Sequence, residues 1–229
     1  MTTTITTTPT STPPLPAGAR SEPTTVPALE ALRRLRDGNE RFANDLRSLD
    51  VLASQARRAS LVPAQSPFAV ILSCSDSRVP SEIVFDQGLG SLFVVRVAGN
   101  VVAPSLVGSV EFAVDTFGTQ LVVVMGHTRC GAIGATLKAL RGGGAHHSEN
   151  IRDIVDRIRP AVEPLLGAGI DEGTLAARAT RANVVAAANH LRHSSRVLEQ
   201  RVRDGSILVV GAEYSLESGK VDFFDGVPA

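Results

Sequence analysis

Apolar residues fall along the chain in two rhythms. Pro67-Phe68-Ala69-Val70-Ile71-Leu72, Leu92-Phe93-Val94-Val95-Arg96-Val97, Leu121-Val122-Val123-Val124-Met125 and Ile207-Leu208-Val209-Val210 are runs of strand length without helical spacing. Elsewhere the period is helical. Leu29, Leu32, Leu35, Phe42 and Leu46 follow Pro27, and Val107, Val110, Val114 and Phe117 follow Ser105. Further helices are predicted over Gly131 to Leu140, roughly 150 to 166 and 173 to 203, the last two divided by Gly167-Ala168-Gly169. Pro80 to Phe85 reads as a short helical stretch broken by Gly88-Leu89-Gly90, and Val221-Asp222-Phe223-Phe224 as a hairpin or edge strand.

Strands alternating with helices predict an α/β fold with a mostly parallel central sheet flanked by helices. The helix from Pro27 to Arg47 precedes the first strand and belongs to no βα unit. Its apolar stripe has no obvious home in a single subunit, so it is expected to pack on a partner subunit.

Composition narrows the picture. The Thr/Pro-rich stretch 1–25 has too little apolar surface to offset its ordering entropy and is expected to be a disordered tail, leaving 26–229 as a single domain. Lys+Arg and Asp+Glu both number 23, so neither nucleic acid nor an anionic membrane is an expected partner. No apolar run approaches the ~20 residues of a membrane span. A basic segment followed by an apolar one is missing from the N-terminus, so no secretory signal is expected. Two cysteines make no disulfide framework and suit a reducing cytoplasm as thiolates.

Both cysteines sit in polar clusters that directly follow apolar runs: Ser73-Cys74-Ser75-Asp76-Ser77-Arg78 and Gly126-His127-Thr128-Arg129-Cys130-Gly131. In an open α/β sheet, ligands gather beyond the carboxyl ends of the strands, where these clusters fall. Thiolate, imidazole and carboxylate are all zinc ligands, so Cys74, His127 and Cys130 form a candidate Cys2His set, with Asp76 an alternative fourth ligand. Arg78 bears on that alternative, because a guanidinium can clamp Asp76 in a bidentate pair and keep it off a metal. From the residues alone, inert core cysteines, a redox pair and a structural Asp76–Arg78 ion pair stay open.

The two clusters, together with Phe85-Asp86-Gln87-Gly88, Phe93-Val94-Val95-Arg96, Ala98-Gly99-Asn100, Val209 to Tyr214 and Ser218 to Val221, resemble the β-class carbonic anhydrases over about residues 27 to 225. The resemblance implies a zinc lyase that converts CO2 and water reversibly to bicarbonate and a proton through zinc-bound hydroxide. Zinc would lie on Cys74, His127 and Cys130. Asp76 and Arg78 would form the catalytic dyad, with Asp76 a fourth ligand only in a closed state. Gln65 and Gly131 would bind substrate, and Phe93 and Phe112 would line its pocket. Phe112 stands where many members have tyrosine, which leaves that wall apolar. Ile71 stands where one subgroup has the tryptophan of an inhibitory bicarbonate site, which favours the open form. A homodimer or a dimer-based higher oligomer with sites at the interface is implied as well. Hydrolysis of CS2 or COS on the same ligands, or a closed zinc site in a regulatory protein, are the competing expectations.

The other histidines give no such signal. His146 and His147 follow a glycine triplet, and His190 and His193 lie in a helical region, so all four are expected to face solvent or an interface. Thr116 occupies a position where some relatives carry a histidine able to move protons, so buffer is the expected proton acceptor.

Overall fold

The four apolar runs pair into one sheet, and the C-terminal segment joins its edge. The computed structural model describes residues 25–46, 54–143, 148–167, 169–193 and 195–228. Strands β1 (Ala69–Ser73), β2 (Leu92–Arg96), β3 (Leu121–His127) and β4 (Leu208–Tyr214) are parallel, and β5 (Val221–Asp225) adds antiparallel beside β4. Their order is β2-β1-β3-β4-β5. The central strands β1 and β3 are buried at every position, as strands covered on both faces must be.

Around the sheet lie helices α1 (Ala28–Ala43), α2 (Gln55–Leu61), α3 (Ser81–Val84), α4 (Pro104–Phe117), α5 (Gly131–Leu140), α6 (Glu149–Val162), α7 (Glu172–His193) and α8 (Arg196–Arg203). Three boundaries differ from the sequence expectation for identifiable reasons. The long helix over 173 to 203 is two helices, because Ser195 adopts an extended conformation and caps α8 by accepting from the Leu198 N–H. Helix α2 buries none of its residues and therefore carries no apolar period to read. Strand β4 runs on past its apolar run, and the added rungs pair Val124 with Gly211, Met125 with Ala212, Gly126 with Glu213 and His127 with Tyr214. All of the expected tail but its last residue lies outside the described residues, as do His146 and His147.

Alternation along the strands sends residues to two cores. Val70, Leu72, Val122 and Val124 meet Val107, Val110 and Val114 of α4 and Val184, Ala188 and Leu191 of α7. On the opposite face, Ala69, Ile71, Val123 and Met125 meet Ala31, Leu32 and Leu35 of α1 and Val84 of α3. The inner part of the N-terminal helix's stripe, Leu32 and Leu35, is covered by its own chain on the sheet face that α4 and α7 leave free, while Leu29 and Leu46 stay exposed.

Two further features lock α1 in place. A Cβ on Gly38 would stand 1.9 Å from the Phe85 carbonyl oxygen, so only glycine allows the two segments to approach this closely. The buried Asn39 amide donates to the Val84 and Gly219 carbonyls and accepts from the Val221 N–H, tying α1 to α3 and to the start of β5. A third apolar cluster, at the carboxyl end of β1 and β3, contains Cys74 and Cys130 among Ile133, Leu137, Ile158, Val162, Leu175 and Ala179. Among the described residues, no helix is long and apolar enough to cross a membrane.

Because α1 is an integral layer of the fold, Leu35→Ala is expected to lower the unfolding free energy by about 2–5 kcal/mol. The loss should not change with protein concentration in denaturant melts. A loss that vanishes on dilution would return α1 to a partner subunit.

Candidate metal centre

Three chain segments deliver the site. Cys74 follows β1 directly, His127 is the last residue of β3, and Cys130 is the residue before α5. The short connection from His127 to Cys130 turns through Arg129, a non-glycine residue held at φ 57°. Cys74, His127 and Cys130 are all buried, and their donor atoms lie within 4.8 Å of one another. The two sulfur atoms are 4.0 Å apart. Two thiolates sharing one tetrahedral zinc at ~2.3 Å each stand ~3.8 Å apart, so the spacing fits that ion.

The protonation chemistry points to a cation as well. The Nδ1 of His127 pairs with the Thr128 carbonyl at 2.9 Å, leaving Nε2 to carry the lone pair. Nε2 is buried with no hydrogen-bond partner, an orphan acceptor on the side of the cysteines. Hydrogen bonding from Cys130 holds the Cys74 thiol well below its ordinary range, at about 4. The same bond, with burial, pushes Cys130 up. One buried anion thus opposes a second, and a divalent cation between the sulfurs removes the opposition. Thiolate, thiolate and imidazole are the donors zinc favours, so the residues present fit the ion.

Asp76 and Arg78 stand together at the edge of this cluster. Asp76 Oδ1 accepts from the Arg78 backbone N–H at 3.0 Å and from Nε at 2.9 Å, while Oδ2 accepts from Nη2 at 2.7 Å. Oδ2 is also 3.9 Å from His127 Nε2. The guanidinium beside it holds the Asp76 carboxyl far below the usual carboxylate range. Gly131 opens α5, and a Cβ added there would meet nothing within 4 Å.

Gln65, Phe93 and Phe112 stand apart from this cluster within one chain. Phe93 pairs with Val70, whereas Ser73, just before Cys74, pairs with Arg96. Phe93 therefore sits about 13 Å back along the strands from Cys74. It packs with Phe112 and Phe117 at ring-centroid distances of 6.2 and 6.0 Å. Gln65 is exposed and precedes β1, while Cys74 follows it, so the length of the strand separates them. Within one chain, Gln65, Phe93 and Phe112 do not join the metal cluster. His190 and His193 occupy the last turn of α7 and are exposed, as expected.

Sequence reasoning assigned no role to two residues that hold these loops. Arg96 donates from Nε to the Cys74 carbonyl at 3.2 Å and from Nη2 to the Asp76 carbonyl at 2.7 Å. Glu217 accepts from the Thr128 hydroxyl at 2.7 Å and from Arg129 Nε at 2.6 Å, bracing the His127–Cys130 connection from the turn after β4. Arg96 lies within the Phe93-Val94-Val95-Arg96 motif, whereas Glu217 is 88 residues from Arg129 and gives no local signal.

The family model described as carbonic anhydrase matches residues 69–221. Carbonic anhydrase 2 of Mycobacterium tuberculosis is 38% identical over 210 residues, covering 90% of this chain and 96% of the relative. The carbonic anhydrase of Mycolicibacterium smegmatis is 43% identical over 197 residues, covering 84% and 91%. Among solved structures, one of two tetrameric β-carbonic anhydrases from Sordaria macrospora superposes with a TM-score of 0.65 at 21% identity, covering 75% of this chain and 87% of that one, a likeness of fold.

Cys74→Ser, His127→Ala and Cys130→Ser are each expected to reduce bound zinc from about one per chain to a small fraction, with a lower melting temperature. Elemental analysis after dialysis checks this. Parent-like zinc content in any two of the three variants would overturn the ligand set.

Proposed function

The chain belongs to the β-carbonic anhydrase family and is a zinc enzyme, and from that premise we propose how its own side chains serve the reversible hydration of carbon dioxide to bicarbonate and a proton. The observation that carries this reading is the buried Cys74, His127 and Cys130 cluster, with Asp76 beside it and clamped by Arg78. Zinc on those three ligands supplies a Lewis acid that makes water a nucleophile near neutral pH.

The protein's part is to orient and to hold protons. Asp76 Oδ2, 3.9 Å from His127 Nε2, is the acceptor that orients the attacking water. Arg78 occupies both carboxylate oxygens and so holds Asp76 back from the ligand set. Because Arg78 depresses the Asp76 pKa, the pair is intact above the unfolded value of ~3.9 and is lost only as pH falls through the lower folded value. Protonation of Asp76 therefore does not disturb the site anywhere in the neutral range. Arg96 fixes the backbone that carries both Cys74 and Asp76.

Substrate contacts are divided between subunits in this reading. The N–H of Gly131, at the start of α5, faces substrate from the same chain as the metal ligands. Gln65, Phe93 and Phe112 of the partner subunit complete the pocket, since these positions stand at the far end of the sheet from their own Cys74. Phe112 is 45% exposed in the single chain, a surface that a second copy would cover. The functional unit is thus a homodimer or a dimer-based oligomer, and its compartment the cytoplasm, where the two thiols stay reduced.

Arg78→Ala frees Asp76 to join the ligands. Zinc content should stay at the parent level while CO2 hydration falls by about 100-fold or more. An active Arg78→Ala protein would remove Arg78 from the mechanism. The shared pocket is checked by mixing subunits of Asp76→Asn with subunits of Gln65→Ala, each inactive alone. Random reassociation should restore about a quarter of the parent rate, because one of the two sites in each mixed dimer is intact. No recovery, with mixed dimers demonstrated by mass, would assign Gln65 to its own chain's site.

A further inference from the structure

The Cys74 sulfur has a backbone donor, the Gly99 N–H at 3.3 Å. Gly99 belongs to the 3-10 turn Ala98–Asn100, which joins β2 to α4 and sits in the left-handed region at φ 68°, ψ 19°. Neither a sheet ladder nor an α-helix fixes this peptide. Its surroundings do. On one side, a Cβ at Gly99 would stand 2.8 Å from Ile158 Cδ1 and 3.0 Å from Ala132 Cβ, so α5 and α6 wall it closely. On the other, Asn183 Nδ2 donates to the Gly99 carbonyl at 2.9 Å.

Asn183 is 3% exposed in the middle of α7, next to Val184 and among residues that pack apolar cores. A buried amide in such a place costs stability unless it is hydrogen-bonded, and a leucine would fill the same volume without that cost. Core packing therefore does not explain the residue. Its contact with the Gly99 peptide does.

We propose that Asn183 is a positioning residue for the metal centre: by holding the Gly99 carbonyl, it aims the Gly99 N–H at the Cys74 sulfur and so sets how Cys74 meets the cation. The N–H bond fixes the direction of the remaining sulfur lone pairs and draws off part of the thiolate charge. Asn183 touches neither ligand nor substrate and acts only through Gly99. The inference rests on the zinc reading of Cys74, His127 and Cys130.

The test follows zinc release from the zinc-loaded full-length protein to a chromogenic chelator, together with the thiolate-to-cobalt charge-transfer band of the cobalt-loaded protein. Asn183→Leu keeps the volume and removes the donor, and Asn183→Asp keeps the shape and turns an acceptor toward the Gly99 carbonyl. Both should release zinc about 10–100-fold faster than the parent and shift the cobalt band. Leu191→Ala, fully buried on the same helix but away from the Gly99 turn, supplies a comparable loss of stability and should leave release and band as in the parent. Parent-like release and an unshifted band in the Asn183 variants would overturn the proposal, and so would equal acceleration by Leu191→Ala. Amide hydrogen exchange on the parent decides the matter even where neither variant folds. A protected Gly99 N–H supports the proposal, and exchange at the rate of an exposed loop overturns it. A parent that takes up no zinc at all would overturn the metal reading itself.

Discussion

Two thiols 4.0 Å apart and an imidazole nitrogen without a partner, all buried at one end of a parallel sheet, are the constraint on which this molecule turns. The chain alone can ionise one of the sulfurs and must suppress the other. Zinc removes that conflict, so the metal is also a term in the stability of the carboxyl end of the sheet. Cys74 and Cys130 are members of the same apolar cluster as residues of α5, α6 and α7, so the ligands are anchored by the packing that joins those helices.

The same end of the sheet holds the groups that manage charge around the metal. Arg78 takes the Asp76 carboxylate, Arg96 takes the two carbonyls of the Cys74–Asp76 loop, and Glu217 takes Thr128 and Arg129 beside His127. Each is a charge-assisted contact from a different strand end or turn, and together they restrain the loops beyond the strand ends. The aromatic cluster of Phe93, Phe112 and Phe117 lies at the other end of β2.

Much of this was legible in the chain. The runs around Val70, Val94, Val123 and Val209 declared a buried parallel sheet through their lack of period, and Cys74, Asp76, His127 and Cys130 followed because strand ends are where polar clusters gather. The Asp76–Arg78 pair was legible because it spans only two residues. The home of α1 was not: its stripe says that Leu32 and Leu35 are buried but not against which chain, and the answer depends on Gly38 meeting Phe85 and Asn39 meeting Gly219. Asn183 and Glu217 were hidden for the same reason, since their partners lie 84 and 88–89 residues away. The break between α7 and α8 turned on one serine cap, which a helical period does not report.

If the buried Cys74, His127 and Cys130 cluster is the catalytic centre, carbon dioxide hydration depends on zinc bound there. Stopped-flow measurement of CO2 hydration on protein stripped of metal and titrated with zinc tests it most directly. The rate should rise linearly from the uncatalysed background and level off at one zinc per chain. Hydration by the stripped protein, or none at full zinc occupancy, would contradict it.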